Sequence, residues 1–149
     1  MKTTLIVIAV LILSALIFLP RLKKVNPVKE IPSPSSSPVF TEYQAFFEIH
    51  TLGTKRVFSD SKYHNKSANV FVTKENPGTI YIKDPGISWA DFFVTLPMKL
   101  EKDCLTTGTG QLFCTNETNS LRFFVDGFEE PNALDQVIKP NSTLKVIYD

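Results

Sequence analysis

A run of 15 residues near the N-terminus, Leu5 to Leu19, limits what the rest of the chain can fold into. It reads LIVIAVLILSALIFL and is interrupted only by Ser14. Because it is apolar on every face, it does not resemble an amphipathic surface helix. As a helix it would be about 22 Å long, somewhat shorter than the apolar core of a bilayer. Lys2 and Arg21 can reach the headgroups at either end, so the sequence predicts a transmembrane helix and a membrane partner through residues 5–19.

A cleaved signal peptide is the competing interpretation of this segment. The apolar length fits, but FLPRLKK follows with no small-x-small cleavage site, which favours an uncleaved anchor with a basic flank in residues 1–24. Counting basic residues on the two flanks nominally places the C-terminal side in the cytoplasm. A disulfide between Cys104 and Cys114 would favour the opposite orientation, because disulfides persist in oxidising compartments. We therefore expect a single-pass protein of the cell membrane whose C-terminal domain lies outside the cytoplasm.

Residues 25–41 have the composition of a tether. They contain the low-complexity stretch PSPSSSP, which can form neither a core nor a helix and favours a semi-extended spacer. Residues 42–149 remain for a folded domain, which is enough chain for one independent core. The sequence thus predicts three parts, with one extracytoplasmic domain at the C-terminal end.

The distribution of charge argues against nucleic acid as a partner. Five of the 16 Lys and Arg residues, but only one of the 15 Asp and Glu residues, fall in the first 30 positions. The rest of the chain carries 11 positive and 14 negative side chains, a net charge of −3. A mildly acidic domain gains nothing from contact with a phosphate backbone.

Short runs with period-two alternation predict hairpins. Ala45–Ser59 can form one hairpin around Gly53. Asn69–Lys74 and Thr79–Lys83 can form another, joined by Asn76-Pro77-Gly78, whose Pro and Gly are typical of a type II turn.

The period then changes to that of a helix. Four apolar residues recur at i, i+3, i+4 and i+7: Trp89, Phe92, Phe93 and Leu96. Ser88 is a good N-cap with Asp91 three residues later, and Pro97 ends the pattern. This predicts one amphipathic helix packed on the domain core.

Two further strands are predicted at Leu121–Val125 and Leu144–Tyr148. A hairpin, one helix and two more strands is the element order of a β-grasp domain. We expect an α+β fold with a β-grasp-like mixed sheet and one packed helix. The Ala45–Ser59 hairpin would be an N-terminal addition to it.

Cys104 and Cys114 bracket the loop LTTGTGQLF, which can close as a hairpin. A disulfide there would stabilise the domain by about 3 kcal/mol and implies an oxidising compartment. The spacing does not match a C-x-x-C redox motif, and two free thiols remain an alternative. A zinc site with His50 and His64 would have the right ligand number but matches no common ligand spacing, so we expect no metal and no cofactor.

From Ser61 onward the chain resembles a family of small, uncharacterised, membrane-anchored prokaryotic proteins. The resemblance covers about the last 90 residues and runs through SKYHNKSANVFV, GTIYIKDPGISWADFF, the two cysteines, TNETNSLRFFVDG and TLKVIYD. It implies the same fold, anchor and disulfide, and it supplies no activity. The family tends to have Gly-Asp at the penultimate turn, where this chain has Pro140-Asn141-Ser142.

The family's strand pair before the helix usually bears histidines in a VH…IHxH pattern. The matching positions here are Phe71, Tyr81 and Lys83. If relatives hold a metal with those histidines, this protein should not, because these side chains cannot replace neutral imidazoles. The three residues instead mark a possible contact surface, unless Phe71 and Tyr81 simply pack under the N-terminal hairpin.

No catalytic motif accompanies these features. The sequence therefore favours a non-enzymatic binding or interaction module for an unidentified protein or small ligand. The alternative is a thiol-disulfide or metal-handling protein of the cell envelope.

Overall fold

A computed structural model describes residues 41–149, and within this range the chain is an α+β fold with mixed sheets and one α-helix. The strands are β1 (Tyr43–Thr51), β2 (Thr54–Lys55), β3 (Val70–Phe71), β4 (Thr79–Ile82), β5 (Lys99–Leu100), β6 (Cys104–Thr106), β7 (Leu112–Cys114), β8 (Leu121–Val125), β9 (Phe128–Glu129) and β10 (Thr143–Tyr148). The helix is α1 (Trp89–Val94), and short 3-10 helices cover Ser61–Tyr63 and Ala133–Asp135. The predicted anchor at residues 5–19 lies outside the described residues. From residue 41 onward, no helix is both long and apolar enough to cross a membrane.

The larger sheet has seven strands in the order β3-β4-β1-β10-β8-β9, with β2 paired to β1. Strands β1 and β10 are parallel, and every other pair in this sheet is antiparallel. Side chains on β1 alternate, so Ala45, Phe47 and Ile49 enter the core while their neighbours face the other way. The sheet therefore has a core face, which α1 covers, and an opposite face that we call the outer face.

The position of β1 corrects the prediction of an added N-terminal hairpin. Strand β1 does turn back into β2 at Leu52 and Gly53, whose φ angles of 51° and 76° suit a tight hairpin turn. However, β1 also pairs with β4 on one side and with β10 on the other, so it lies in the middle of the sheet. Only two residues of the returning arm pair, and the chain then leaves the sheet. Period-two alternation indicates that one face of β1 is buried, but it does not reveal which strands pair along its two edges.

Helix α1 confirms the predicted pattern. All four residues of the apolar stripe are buried. The amide of Asp91 donates to Ser88 Oγ over 3.1 Å, and the amide of Ser88 donates to Asp91 Oδ2 over 2.9 Å, which completes a capping box. The hydrogen bonds from Ser88 also lower the pKa of Asp91. Phe92 packs edge-on against Phe47 of β1 with 5.1 Å between ring centroids, which fixes the helix on the core face.

Strands β3 and β4 pair as predicted, but β3 covers only Val70–Phe71 of the predicted Asn69–Lys74, and the turn is not of type II. The amide of Thr79 donates to the carbonyl of Asn76 over 3.0 Å, which closes the expected four-residue turn. Type II requires a positive φ at Gly78, and Gly78 is not among the residues with positive φ. Gly86, between β4 and α1, does adopt a positive φ of +83°.

The smaller sheet is an antiparallel meander in the order β5-β6-β7. Cys104 on β6 lies opposite Cys114 on β7, with 4.0 Å between their Cα atoms, and the two sulfurs are bonded. The predicted disulfide is therefore present. It crosslinks the hairpin whose loop, around Thr107 and Gly108, forms one wall of a surface cleft.

Candidate binding cleft and outer sheet face

A half-open cleft of about 350 Å³ lies between the segment that follows β2 and the loop of the disulfide hairpin. Its floor is apolar and consists of Ile49, Phe58, Tyr63, Met98 and Leu105. The volume falls within the range of pockets that hold small molecules, and the lining has their usual character, with apolar walls and a few polar groups.

Local structure after β2 builds the first wall. The amide of Arg56 donates to the carbonyl of Ile49 over 2.8 Å, which holds the chain beside β1 after pairing has ended. Phe58 then turns into the core, where its ring packs against Tyr63 at 5.2 Å. Asp60 Oδ1 accepts from the amide of Lys62 over 2.9 Å and caps the 3-10 helix that carries Tyr63.

The hairpin loop builds the second wall. The amide of Gly110 donates to the carbonyl of Thr107 over 2.8 Å, and Gly110 adopts a φ of +84°. The hydroxyls of Thr107 and Thr109 are 2.9 Å apart, and both residues line the cleft. This wall thus presents hydroxyl groups and backbone above an apolar floor.

Gly108 is the point where the two walls touch. A Cβ atom built on Gly108 would lie 2.5 Å from Tyr63 Oη and 2.8 Å from the carbonyl oxygen of Pro97. The tyrosine could move slightly, but the backbone carbonyl could not move without shifting the chain. Only glycine fits here without displacing the loop.

Replacing Gly108 with alanine is therefore expected to lower the free energy of unfolding by about 2 kcal/mol, the usual cost of an overpacked site. Chemical denaturation followed by the fluorescence of Trp89, the single tryptophan, measures this effect. Gly78→Ala is the matched control, since its Cβ would meet only the carbonyl of Phe47 at 3.6 Å. Equal stability of the two variants would contradict the close contact.

Two cations at the rim are held by neutral groups. Arg56 Nε donates to Thr51 Oγ1 over 2.6 Å and Nη1 donates to Gln111 Oε1 over 3.2 Å, while its guanidinium lies 4.8 Å from the centroid of the Phe113 ring. Lys62 Nζ donates to a backbone carbonyl of the opposite wall, at Gly108, over 3.3 Å.

The outer face carries the three residues predicted to form a contact surface, and the structure brings them together. The rings of Phe71 and Tyr81 stack at 5.5 Å with 16° between their planes. Lys83 Nζ lies 5.0 Å from the Phe71 centroid and 3.9 Å from Glu42 Oε2. The alternative expectation, that the two rings pack under the N-terminal hairpin, is wrong because β1 lies beside β4 within the same sheet.

A charge cluster around Glu48 occupies the middle of the outer face. Lys55 Nζ lies 2.8 Å from Glu48 Oε2, His50 Nε2 lies 3.4 Å from the same oxygen, and Lys145 Nζ lies 3.4 Å from Oε1. The hydrogen bond from Lys55 is the main reason that the pKa of Glu48 falls from 4.5 to about 2, with His50 and Lys145 contributing less.

The pKa of Glu48 implies a pH dependence of stability. Because the folded state holds the carboxylate ionised, its contribution is complete above pH 4.5 and is lost as the pH falls towards 2. Glu48→Gln is expected to reduce the free energy of unfolding at pH 7 by about 1 kcal/mol, given solvent screening. The difference between variant and wild type should shrink in acid-denaturation curves below pH 4.5. A difference that is constant with pH would contradict the assignment.

The four residues considered for zinc do not converge. His64 is buried and its Nε2 lies 2.8 Å from the carbonyl oxygen of Phe58, whereas His50 faces the outer side of the sheet. Both cysteines are consumed by their disulfide. In the part of the chain that the structure describes, no three His, Cys, Asp or Glu residues are grouped so that they could hold a metal.

Comparison of the chain with protein-family models, with curated proteins and with solved structures found no match.

Proposed function

We propose that the protein is a non-enzymatic binding module of the cell envelope, with its site in the cleft beside the disulfide hairpin. The observation that carries this proposal is the 350 Å³ opening over an apolar floor. Around it stand hydroxyl, guanidinium and ammonium groups that could fix the orientation of a small ligand. The outer face with Phe71, Tyr81 and Lys83 is a second candidate surface for a protein contact.

We assign the domain to a β-grasp-like fold. The parallel pair of β1 and β10 in the middle of the sheet supports this assignment. In a β-grasp fold the first and last strands also lie side by side and parallel, with antiparallel strands on either side. The position of α1 between β4 and β8 also agrees with it, since the helix provides the crossover between the two halves of the sheet.

We also propose that residues 5–19 anchor the chain and that the domain faces away from the cytoplasm. The disulfide supports this orientation, since crosslinks of this kind persist in oxidising compartments. Intact cells treated with a membrane-impermeant maleimide should label Cys104 and Cys114 only after reduction. Labelling that needs lysis but no reductant would place the domain in the cytoplasm and refute the proposal.

Binding in the cleft can be followed at one methyl group. The chain has two methionines, and Met98 lines the cleft floor. We would label the methionine methyls with ¹³C, assign Met98 by a Met98→Leu variant, and screen small fragments against the full chain in zwitterionic nanodiscs. Saturable shifts of the Met98 signal are expected for a subset of fragments. A signal that no fragment moves would refute the cleft as a binding site.

A catalytic role would emerge in the same preparation. Fragments that shift Met98 should be recovered chemically unchanged after prolonged incubation. Turnover that disappears in a Lys62→Gln or Arg56→Gln variant would replace the binding proposal with an enzymatic one.

A further inference from the structure

From the charges around the cleft we infer its ligand class: a small organic anion, with a carboxylate or phosphate group on an apolar body. This inference rests on the proposed function, because it concerns the same cleft. The supporting observation is that two cations at the rim, Arg56 and Lys62, have no carboxylate within 4 Å among residues 41–149.

The half-buried cations of residues 41–149 fall into two groups. Arg122 and Lys145 are paired with the carboxylates of Asp149 and Glu48, respectively. Arg56 and Lys62 are also half-buried, yet within the described residues neither lies within 4 Å of a carboxylate oxygen. The other cations of this range are exposed, where water solvates them. The two half-buried cations without a counter-charge both line the cleft.

This placement costs free energy unless an anion compensates it. A cation that loses part of its hydration needs polar partners in its place, and an anionic partner forms the stronger, charge-assisted hydrogen bonds. Among residues 41–149, Arg56 and Lys62 contact neutral oxygens and the ring faces of Phe113 and Tyr63, which compensate part of that loss. The domain has more acidic than basic residues, so a shortage of carboxylates does not explain the pattern.

The other two charged residues of the lining, Lys55 and Asp60, do not cancel the positive charge at the rim. Lys55 is bound to Glu48 on the outer face and contributes little to the cleft. Asp60 is the one acidic residue of the lining, and its Oδ1 accepts a backbone hydrogen bond from Lys62. An incoming anion would therefore find two cations at the rim and the hydroxyl pair of Thr107 and Thr109 beside them.

The floor determines the rest of the ligand. Met98, Phe58 and Leu105 offer an apolar surface that a simple inorganic anion would leave wet. A flat or short apolar body attached to the charged group would cover it. The cleft thus selects by charge at the rim and by apolar contact at the floor.

Three nearly isosteric probes test the inference: benzoate, benzamide and benzamidinium, which are anionic, neutral and cationic. Each is titrated against the full chain in zwitterionic nanodiscs with the Met98 methyl as the signal. Benzoate is expected to bind about tenfold more tightly than benzamidinium, with benzamide between them. Added salt should weaken the binding of benzoate and leave that of benzamide unchanged.

Charge variants locate the effect. Lys62→Gln is expected to weaken the binding of benzoate about fivefold, while Lys62→Arg keeps the positive charge and most of the affinity. Lys74→Gln removes the charge of an exposed lysine that does not line the cleft and serves as the matched control, with unchanged affinity expected. Arg56→Gln should also weaken binding, but it removes contacts to Thr51 and Gln111, so the lysine variants carry the test.

The outcomes distinguish failure of the proposed ligand class from failure of the proposed binding cleft. Three probes that shift Met98 with equal affinity, or a preference for benzamidinium, would overturn the ligand class and leave the binding cleft standing. A Met98 signal unmoved by the probes and by the whole fragment screen would overturn both. Nanodiscs that contain phosphatidylglycerol distinguish a free solute from a lipid headgroup. A Met98 shift on transfer to them, before benzoate is added, would overturn the assignment to a free solute.

Discussion

Replacing Phe92 with alanine is expected to lower the free energy of unfolding by about 4 kcal/mol, the largest effect that we expect from one substitution in this domain. The ring of Phe92 is fully buried and lies 5.1 Å from Phe47 and 5.0 Å from Phe93. Its removal would leave a cavity between α1 and the centre of the sheet, which neighbouring rings can only partly fill. Urea denaturation followed by the fluorescence of Trp89 measures the change.

Val94 provides the control for this experiment. It lies in the same helix but is 84% exposed, so Val94→Ala should change the stability by no more than about 0.5 kcal/mol. A domain of this size has a total stability of about 5–15 kcal/mol, so the Phe92 variant should unfold at a clearly lower urea concentration. Similar midpoints for the two variants would mean that α1 does not pack on the sheet as described.

The accuracy of the sequence-based prediction at α1 has a local cause. The stripe, the capping box and the terminating proline all lie within ten residues of one another, from Ser88 to Pro97. Interactions at such short separation depend on residue types that the sequence displays directly. The hairpin of β3 and β4 is predictable only in part. Period-two alternation indicates both strands, but the observed register pairs Phe71 with Tyr81, whereas a two-residue turn at Pro77 and Gly78 would pair Lys74 with Tyr81.

The central position of β1 has a different kind of cause. Strand β1 pairs with β10, whose residues lie nearly a hundred positions later in the chain. Period-two alternation shows that a strand has a buried face, but it contains no information about the neighbour along either edge. Strands of two residues, such as β2 and β9, are too short to display any period. The prediction therefore identified the strand and misplaced it in the sheet.

The cleft shows the same limit for function. Arg56 and Lys62 lie in one segment, and Thr107 and Gly108 lie about 50 residues away in another. Neither segment carries a motif, and an isolated basic residue is usually a solvated surface group. Gly108 lies between two threonines and resembles an ordinary loop glycine until its distance to Pro97 is known. Such a site becomes visible only when the tertiary structure brings its walls together.

Removal of the disulfide is expected to have the second-largest effect on stability. The double variant Cys104→Ala/Cys114→Ala should lose about 3 kcal/mol, because the crosslink closes a loop across a sequence separation of 10 and restricts the unfolded chain. Denaturant titration again measures the change, and reduced wild-type protein should match the double variant. Leu112→Ala is the control from the same hairpin, since Leu112 is 67% exposed and its truncation should change little.

The same variant also tests whether the crosslink serves the cleft. Residues Thr107 to Thr109 form the wall of the cleft that the crosslinked hairpin carries, so loss of the disulfide should loosen that wall. At pH 7 without denaturant, where the variant still folds, we expect benzoate to shift the Met98 methyl signal less than in the wild-type protein. If the stability falls by about 3 kcal/mol while the Met98 response is unchanged, the disulfide stabilises the domain without shaping its binding site. If neither quantity changes, the crosslink contributes nothing that the hairpin does not already provide.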